Sequence, residues 1–119
     1  MSFIDGFVVP VPEGKKQEYL DLAKMAYTKF EALGTLRHVE CWGDDVPDGK
    51  LTDFRRAVDA KPGETIVFSW VEWPTKEARD AANKKMMDDP EMRTMDVPFD
   101  GKRMIFGGFV PIFDEGVKR

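Results

Sequence analysis

The chain has 119 residues, 42% of them hydrophobic and 34% charged, which fits one globular domain able to bury its own core. Its 18 basic and 22 acidic residues leave a net charge of −4. The basic pairs Lys15-Lys16, Arg55-Arg56 and Lys84-Lys85 all have acidic residues nearby, which argues against a nucleic-acid partner. A single cysteine, Cys41, excludes an internal disulfide and a cysteine-rich metal site. No stretch approaches the roughly 20 apolar residues of a membrane span, and no basic start leads into an apolar leader. The expectation is a cytoplasmic protein with no membrane, metal or cofactor partner.

In chain order, Phe3–Val9 reads as a strand that ends at Pro10, because proline cannot continue a central ladder. Tyr19, Leu22, Ala23, Ala26, Phe30 and Leu33 recur at helical spacing and predict a helix over residues 15–33. Gly34 is placed to stop it. Leu36–Trp42 is the second strand, with His38, Glu40 and Trp42 on one face and Arg37, Val39 and Cys41 on the other. Residues 43–63 are turn-rich, and Thr52 is a candidate cap for a short helix through Ala60. Thr65–Trp73 is dense in β-branched and aromatic residues and forms the third strand. Thr75 then caps a second helix whose stripe is Ala78, Ala81, Ala82 and Met86, ending at Asp88-Asp89-Pro90. One further short turn is expected over Glu91–Met95. The last strand, Arg103–Val110, carries Gly107-Gly108 at its centre, where glycine marks a bulge or a close backbone approach. Strand–helix–strand therefore occurs twice. Two such units make a four-stranded sheet with both helices on one face, and the other face needs a partner.

Few residues can carry chemistry. His38 is the only histidine. On the face it shares with Glu40 it can serve as a general base oriented by a carboxylate, or be an inert histidine at a sheet or dimer surface. Asp5 interrupts an apolar strand. It is either an acid or base with a shifted pKa or the partner of an arginine such as Arg103. Trp42, Trp70 and Phe7 can line an apolar ligand pocket, or fill a core or interface. Asp44, Asp45 and Asp48 lack calcium-loop spacing and read as a solvated turn. Cys41 reads as a small hydrophobe. Gly107-Gly108 lies inside a strand and not before a helix, so there is no phosphate loop.

Blocks running through Asp5–Pro12, Glu40–Lys50, Lys61–Trp70 and Pro98–Phe109 resemble the bacterial YbaA-like family, a family of unknown function. The resemblance covers essentially the whole chain. It implies an α+β, ferredoxin-like βαββαβ unit with an antiparallel sheet, assembled as a dimeric α/β barrel in which two sheets meet face to face. It also implies a pocket between the sheet and its helices in each protomer. It brings no established catalytic residues. The resulting expectation is a homodimer that binds a small, partly apolar molecule, with His38 as base and Glu40 or Asp5 assisting. Cofactor-free oxygenation or isomerisation enters only as analogy with related barrels. The rival reading is a non-catalytic interaction module.

Overall fold

Strand β1 covers Phe3–Pro12 and pairs antiparallel along its whole length with β3, Glu64–Trp73. The computed structural model describes residues 2–116. Helix α1 (Lys16–Ala32) leads to β2 (Arg37–Trp42), and a short α2 (Phe54–Ala57) lies in the connection to β3. Helices α3 (Lys76–Met87) and α4 (Pro90–Thr94) then lead to β4 (Ile105–Phe109). The strand order is β2-β3-β1-β4, with each neighbouring pair antiparallel, as a ferredoxin-like unit requires.

The expectation that β1 stops at Pro10 is corrected. The strand runs on through Pro10 and Pro12, because β4 pairs only with Ile4–Val8. Beyond Val8 the outer side of β1 is a free edge, where a missing N–H costs no ladder bond. The short helix in the connection is capped by Asp53 and not by Thr52: the Asp53 carboxylate accepts from the Arg56 N–H at 2.7 Å. Thr75 caps α3 as expected, accepting from the Ala78 N–H at 3.0 Å. Gly34, with φ of 101°, ends α1 in the left-handed region, while the Thr35 N–H bonds back to the Phe30 carbonyl.

Strand alternation gives the sheet two apolar faces. Phe3, Val9, Val11, Val67, Val71 and Trp73 point toward the helices and are almost fully buried. The core there falls into two clusters. One gathers Phe3, Val71, Trp73 and Ala82, with Phe30, Leu33 and Met86 packed on it; the other gathers Val9, Val11 and Val67, with Tyr19, Trp42, Phe99 and Met104. Each large side chain buried in this way is worth about 1.5–3 kcal/mol. Ile4, Val8, Phe68, Trp70, Ile105 and Phe109 point the other way. They line an apolar groove of about 500 Å³ on the face away from α1 and α3, with Phe54 of α2 against Phe68 at 6.0 Å between ring centres.

On α3 the expected small-residue stripe is only partly realised. Ala82 is buried and Ala81 is exposed. Arg79 reaches back to the sheet instead, its guanidinium 4.6 Å from the Phe3 ring centre. Gly108 leaves the space this needs, since a Cβ there would sit 2.5 Å from Phe3 Cζ and 3.0 Å from an Arg79 nitrogen.

The start of β3 is tied to the approach to β4 by a bidentate ion pair. Arg103 donates to both Glu64 oxygens at 2.7 and 2.8 Å, and both side chains are mostly buried. These bonds hold the Glu64 carboxyl at about 2, below its ordinary value. A depressed carboxyl pKa stabilises the folded state above the unfolded value, and that contribution is lost as pH falls through the folded one. Wild-type stability should therefore drop between about pH 4.5 and pH 2 by on the order of 1–2 kcal/mol from this pair, allowing for solvent screening. Urea denaturation at pH 7, 4 and 2.5 should find Glu64→Gln less stable at pH 7, with the gap closing in acid. A gap that stays constant across that range would exclude the linkage.

Candidate functional site

The gap between the two core clusters is a cavity. It holds about 250 Å³ and lies between the helix face of the sheet, α1, α4 and the segment that follows α4. Ser69, buried at mid-strand on β3, lies in its floor, and Leu22, Ala23, Ala26 and Phe30 of α1 face it. Helix α1 has no fully buried residue, because its apolar stripe roofs this space and does not fill a core. Met92, Met95, Val97 and Phe99 close the remaining side. A second cavity of about 430 Å³ adjoins it and shares Phe7, Phe30, Val71 and Met92 as walls.

His38 and Glu40 stand on the same face of β2, opposite Val71 and Ser69 of β3, and both line the smaller cavity. His38 Nε2 lies 2.5 Å from Glu40 Oε2. The Tyr19 hydroxyl donates to Glu40 Oε1 at 2.7 Å. Glu40 therefore accepts from two sides, and an ionised carboxylate can only accept. A neutral imidazole that donates to such a carboxylate carries its proton on Nε2 and its lone pair on Nδ1. The His38 side chain is 6% exposed, with the Phe30 ring 5.4 Å and the Tyr27 ring 6.2 Å away, centre to centre. Burial, and then the adjacent Glu40 charge, push the Tyr19 hydroxyl far above its ordinary pKa, so it remains a donor. A hydrogen bond to a charged acceptor of this kind is worth about 1.5–3 kcal/mol. Chemically, the arrangement is an imidazole oriented by a carboxylate, on a residue that lines an apolar space.

Asp5 lies elsewhere. The register passes from Asp5 to Val71 to His38, which separates the two by two strand spacings, roughly 10 Å. The Asp5 carboxylate accepts from Trp73 Nε1 at 3.2 Å and from Arg79 at 3.0 Å. Its partner is Arg79 and not Arg103, which Glu64 occupies. Burial raises the Asp5 pKa against the opposing pull of Arg79 and Trp73. Arg79 Nε also lies 3.0 Å from Asp80 Oδ1, but its N–H finds no hydrogen-bond partner in that geometry.

The three aromatic residues read as ligand walls divide between the faces. Phe7 lines both inner cavities. Trp42 packs on the inner core beside Tyr19, with ring centres 6.4 Å apart. Trp70 lies on the opposite face with Phe68, so it cannot share a pocket with Trp42. Cys41 is exposed on that outer face and is not a buried hydrophobe. Tyr19, Ser69 and Met92 escape sequence reading because a helical stripe and a strand pattern account for them equally well as core. Among the described residues no group of three or more potential ligands could hold a metal, and no helix is long and apolar enough to cross a membrane.

The fold and this cavity define an α+β protein of ferredoxin-like architecture with a helix–sheet chamber. The chain belongs to the family of proteins of unknown function DUF1428, whose pattern matches residues 2–101. It is 58% identical over 117 residues to the uncharacterized protein YbaA of Escherichia coli K12, covering 97% of this chain and 100% of that one. The YbaA protein of Shigella flexneri matches at the same 58% identity. Similarity of fold extends further. A Bacillus cereus protein assigned as an antibiotic biosynthesis monooxygenase superposes with a TM-score of 0.57 at 14% identity, covering 98% of both chains. A dimeric ferredoxin-like protein from an uncultured marine organism gives 0.55 at 12% identity, covering 98% of this chain and 99% of that one. A NIPSNAP family protein of Agrobacterium tumefaciens gives 0.52 at 12%, covering 92% of this chain and 85% of that one.

The tautomer is directly measurable, because one histidine gives one imidazole spectrum. Nitrogen-15 NMR at pH 9 should find His38 protonated at Nε2 and bare at Nδ1, with Glu40→Gln redistributing the tautomers. A proton on Nδ1 in the wild type would overturn this orientation.

Proposed function

We propose that the chain is a homodimer that binds a small, partly apolar molecule in the helix–sheet chamber of each protomer and performs proton-transfer chemistry on it. Nδ1 of His38 is the base, Glu40 orients the ring and takes up its developing charge, and Tyr19 holds Glu40 in place. The observation that carries this reading is the chain of hydrogen bonds Tyr19–Glu40–His38 ending at an apolar cavity. A packed core has no use for an oriented imidazole beside empty space, whereas a general base needs both. Proton abstraction of this kind suits isomerisation or the first step of a cofactor-free oxygenation. The monooxygenase assignment of the Bacillus cereus relative in fold supports the second only as analogy. Asp5 has no direct part in this reading: it serves as a buried carboxylate paired with Arg79, two strands away from His38.

A metabolite screen by thermal shift tests the proposal, with His38→Ala in parallel. At least one compound should raise the melting temperature of the wild type and fail to do so for the variant. Equal shifts in both would remove His38 from the site, and no shift from any compound would favour a non-catalytic role.

The dimer rests on the outer sheet face. Phe68 and Ile105 are each 45% exposed and Phe109 62% exposed around an apolar groove, which a second copy of the same face would cover. The dimeric ferredoxin-like protein similar in fold supports that arrangement. The same groove favours the rival reading, an interaction module whose partner docks on this face. Light scattering at micromolar concentration should give twice the chain mass, and Phe109→Asp should give the chain mass. A monomeric wild type would exclude the dimer and leave the face to another partner.

A further inference from the structure

The larger inner cavity has a polar end that proton transfer at His38 does not use. Beyond the walls it shares with the His38 cavity, it is lined by Met86, Met87, Asn83 and Arg93. Arg93 is exposed, on α4, and Asn83 is half-buried, on α3, so they mark its outer mouth. The acidic residues nearest Arg93 in α4 are already engaged. Asp89 and Glu91 both pair with Lys29, at 2.7 and 2.8 Å. Among the described residues Arg93 has no carboxylate within ion-pair distance, and the Asn83 amide has no hydrogen-bond partner. The remaining carboxylate on this cavity, Asp5, lies on β1 and is bonded to Arg79 and Trp73.

We infer that the chamber takes a monoanionic carboxylate with an apolar, ring-sized body. Its carboxylate meets Arg93 and Asn83 at the mouth, and its body lies along Phe7, Phe30, Val71 and Met92 toward His38. This rests on the reading of the chamber as a ligand site and names the class of ligand. One guanidinium and one amide supply planar, forked donors that match a carboxylate. A single unpaired cation balances a single negative charge. The inner end offers no comparable site, because the arginine there, Arg79, is already paired with Asp5. The shared walls are aromatic, branched and thioether side chains, which suit a flat or compact hydrocarbon body.

A matched pair of probes separates the charge from the body: 1-naphthylacetate and its neutral amide, 1-naphthylacetamide. Affinity is measured by calorimetry, and occupancy of the chamber by the shift of the single His38 imidazole resonance. The wild type should bind the acid at least tenfold more tightly than the amide, with the His38 resonance moving in both cases. Arg93→Gln should abolish that preference, lowering the affinity for the acid far more than that for the amide. Asn83→Leu should reduce it in part. Arg93 is exposed, so a melting temperature within a few degrees of wild type is expected and confirms an intact fold. Equal affinities in the wild type, or a preference that survives Arg93→Gln, would overturn the carboxylate assignment while the amide still reports a working chamber. Failure of both probes to move the His38 resonance would overturn the chamber reading along with it.

Discussion

The register between β1 and β3 is the constraint on which everything else depends. Ten residues of each strand pair in sequence, from Phe3 opposite Trp73 to Pro12 opposite Glu64. A slip of one position would turn every side chain to the other face of the sheet. With β3 held in place, Phe3, Val9 and Val11 would leave the helix side, and Ile4 and Val8 would enter it. The alignment of β2 with β3 then puts His38 and Glu40 over Val71 and Ser69, under α1 and not against solvent. Apolar burial on both central strands holds this register far more firmly than any hydrogen bond at the site, since several large side chains are each worth about as much as one charged hydrogen bond.

That arrangement distributes polarity in an informative way. The helix side of the sheet carries two buried carboxyl systems. At one, Asp5 is held by Arg79 and Trp73 and its burial is offset by a cation. At the other, Glu40 is held by Tyr19 and His38, with no arginine or lysine within ion-pair distance among the described residues. The first has its charge paired within the protein. The second leaves one imidazole nitrogen without a hydrogen bond among the described residues, on a side chain that lines an apolar cavity. The outer side of the sheet carries no comparable polar group among the residues lining its groove apart from Ser69, whose side belongs to the inner face.

The two cavities exist because α1 and α4 roof the sheet with small or flexible side chains. Ala23 and Ala26 cannot reach the floor, and Met92 and Met95 adapt to what they meet. Close packing is the rule for interiors, and these partly open spaces depart from it.

The sequence by itself determined the elements and their faces. Strand alternation put His38, Glu40 and Trp42 together, helical spacing gave the α1 stripe, and Gly34 and Thr75 marked helix ends, because these signals are local and periodic. It also showed that one sheet face would lack cover. Only the tertiary structure decided which residues meet. Arg79 takes Asp5, and Arg103 takes Glu64, because α3 and the turn before β4 arrive at those points by packing and not by spacing. Trp70 is parted from Trp42 because strand parity places residues of β2 and β3 on a common face only through the pairing register. Tyr19 joins Glu40 across 21 residues, and Arg93 comes to the mouth of the chamber from a five-residue helix. Contacts of that range depend on how helices seat on a sheet, and no local pattern encodes them.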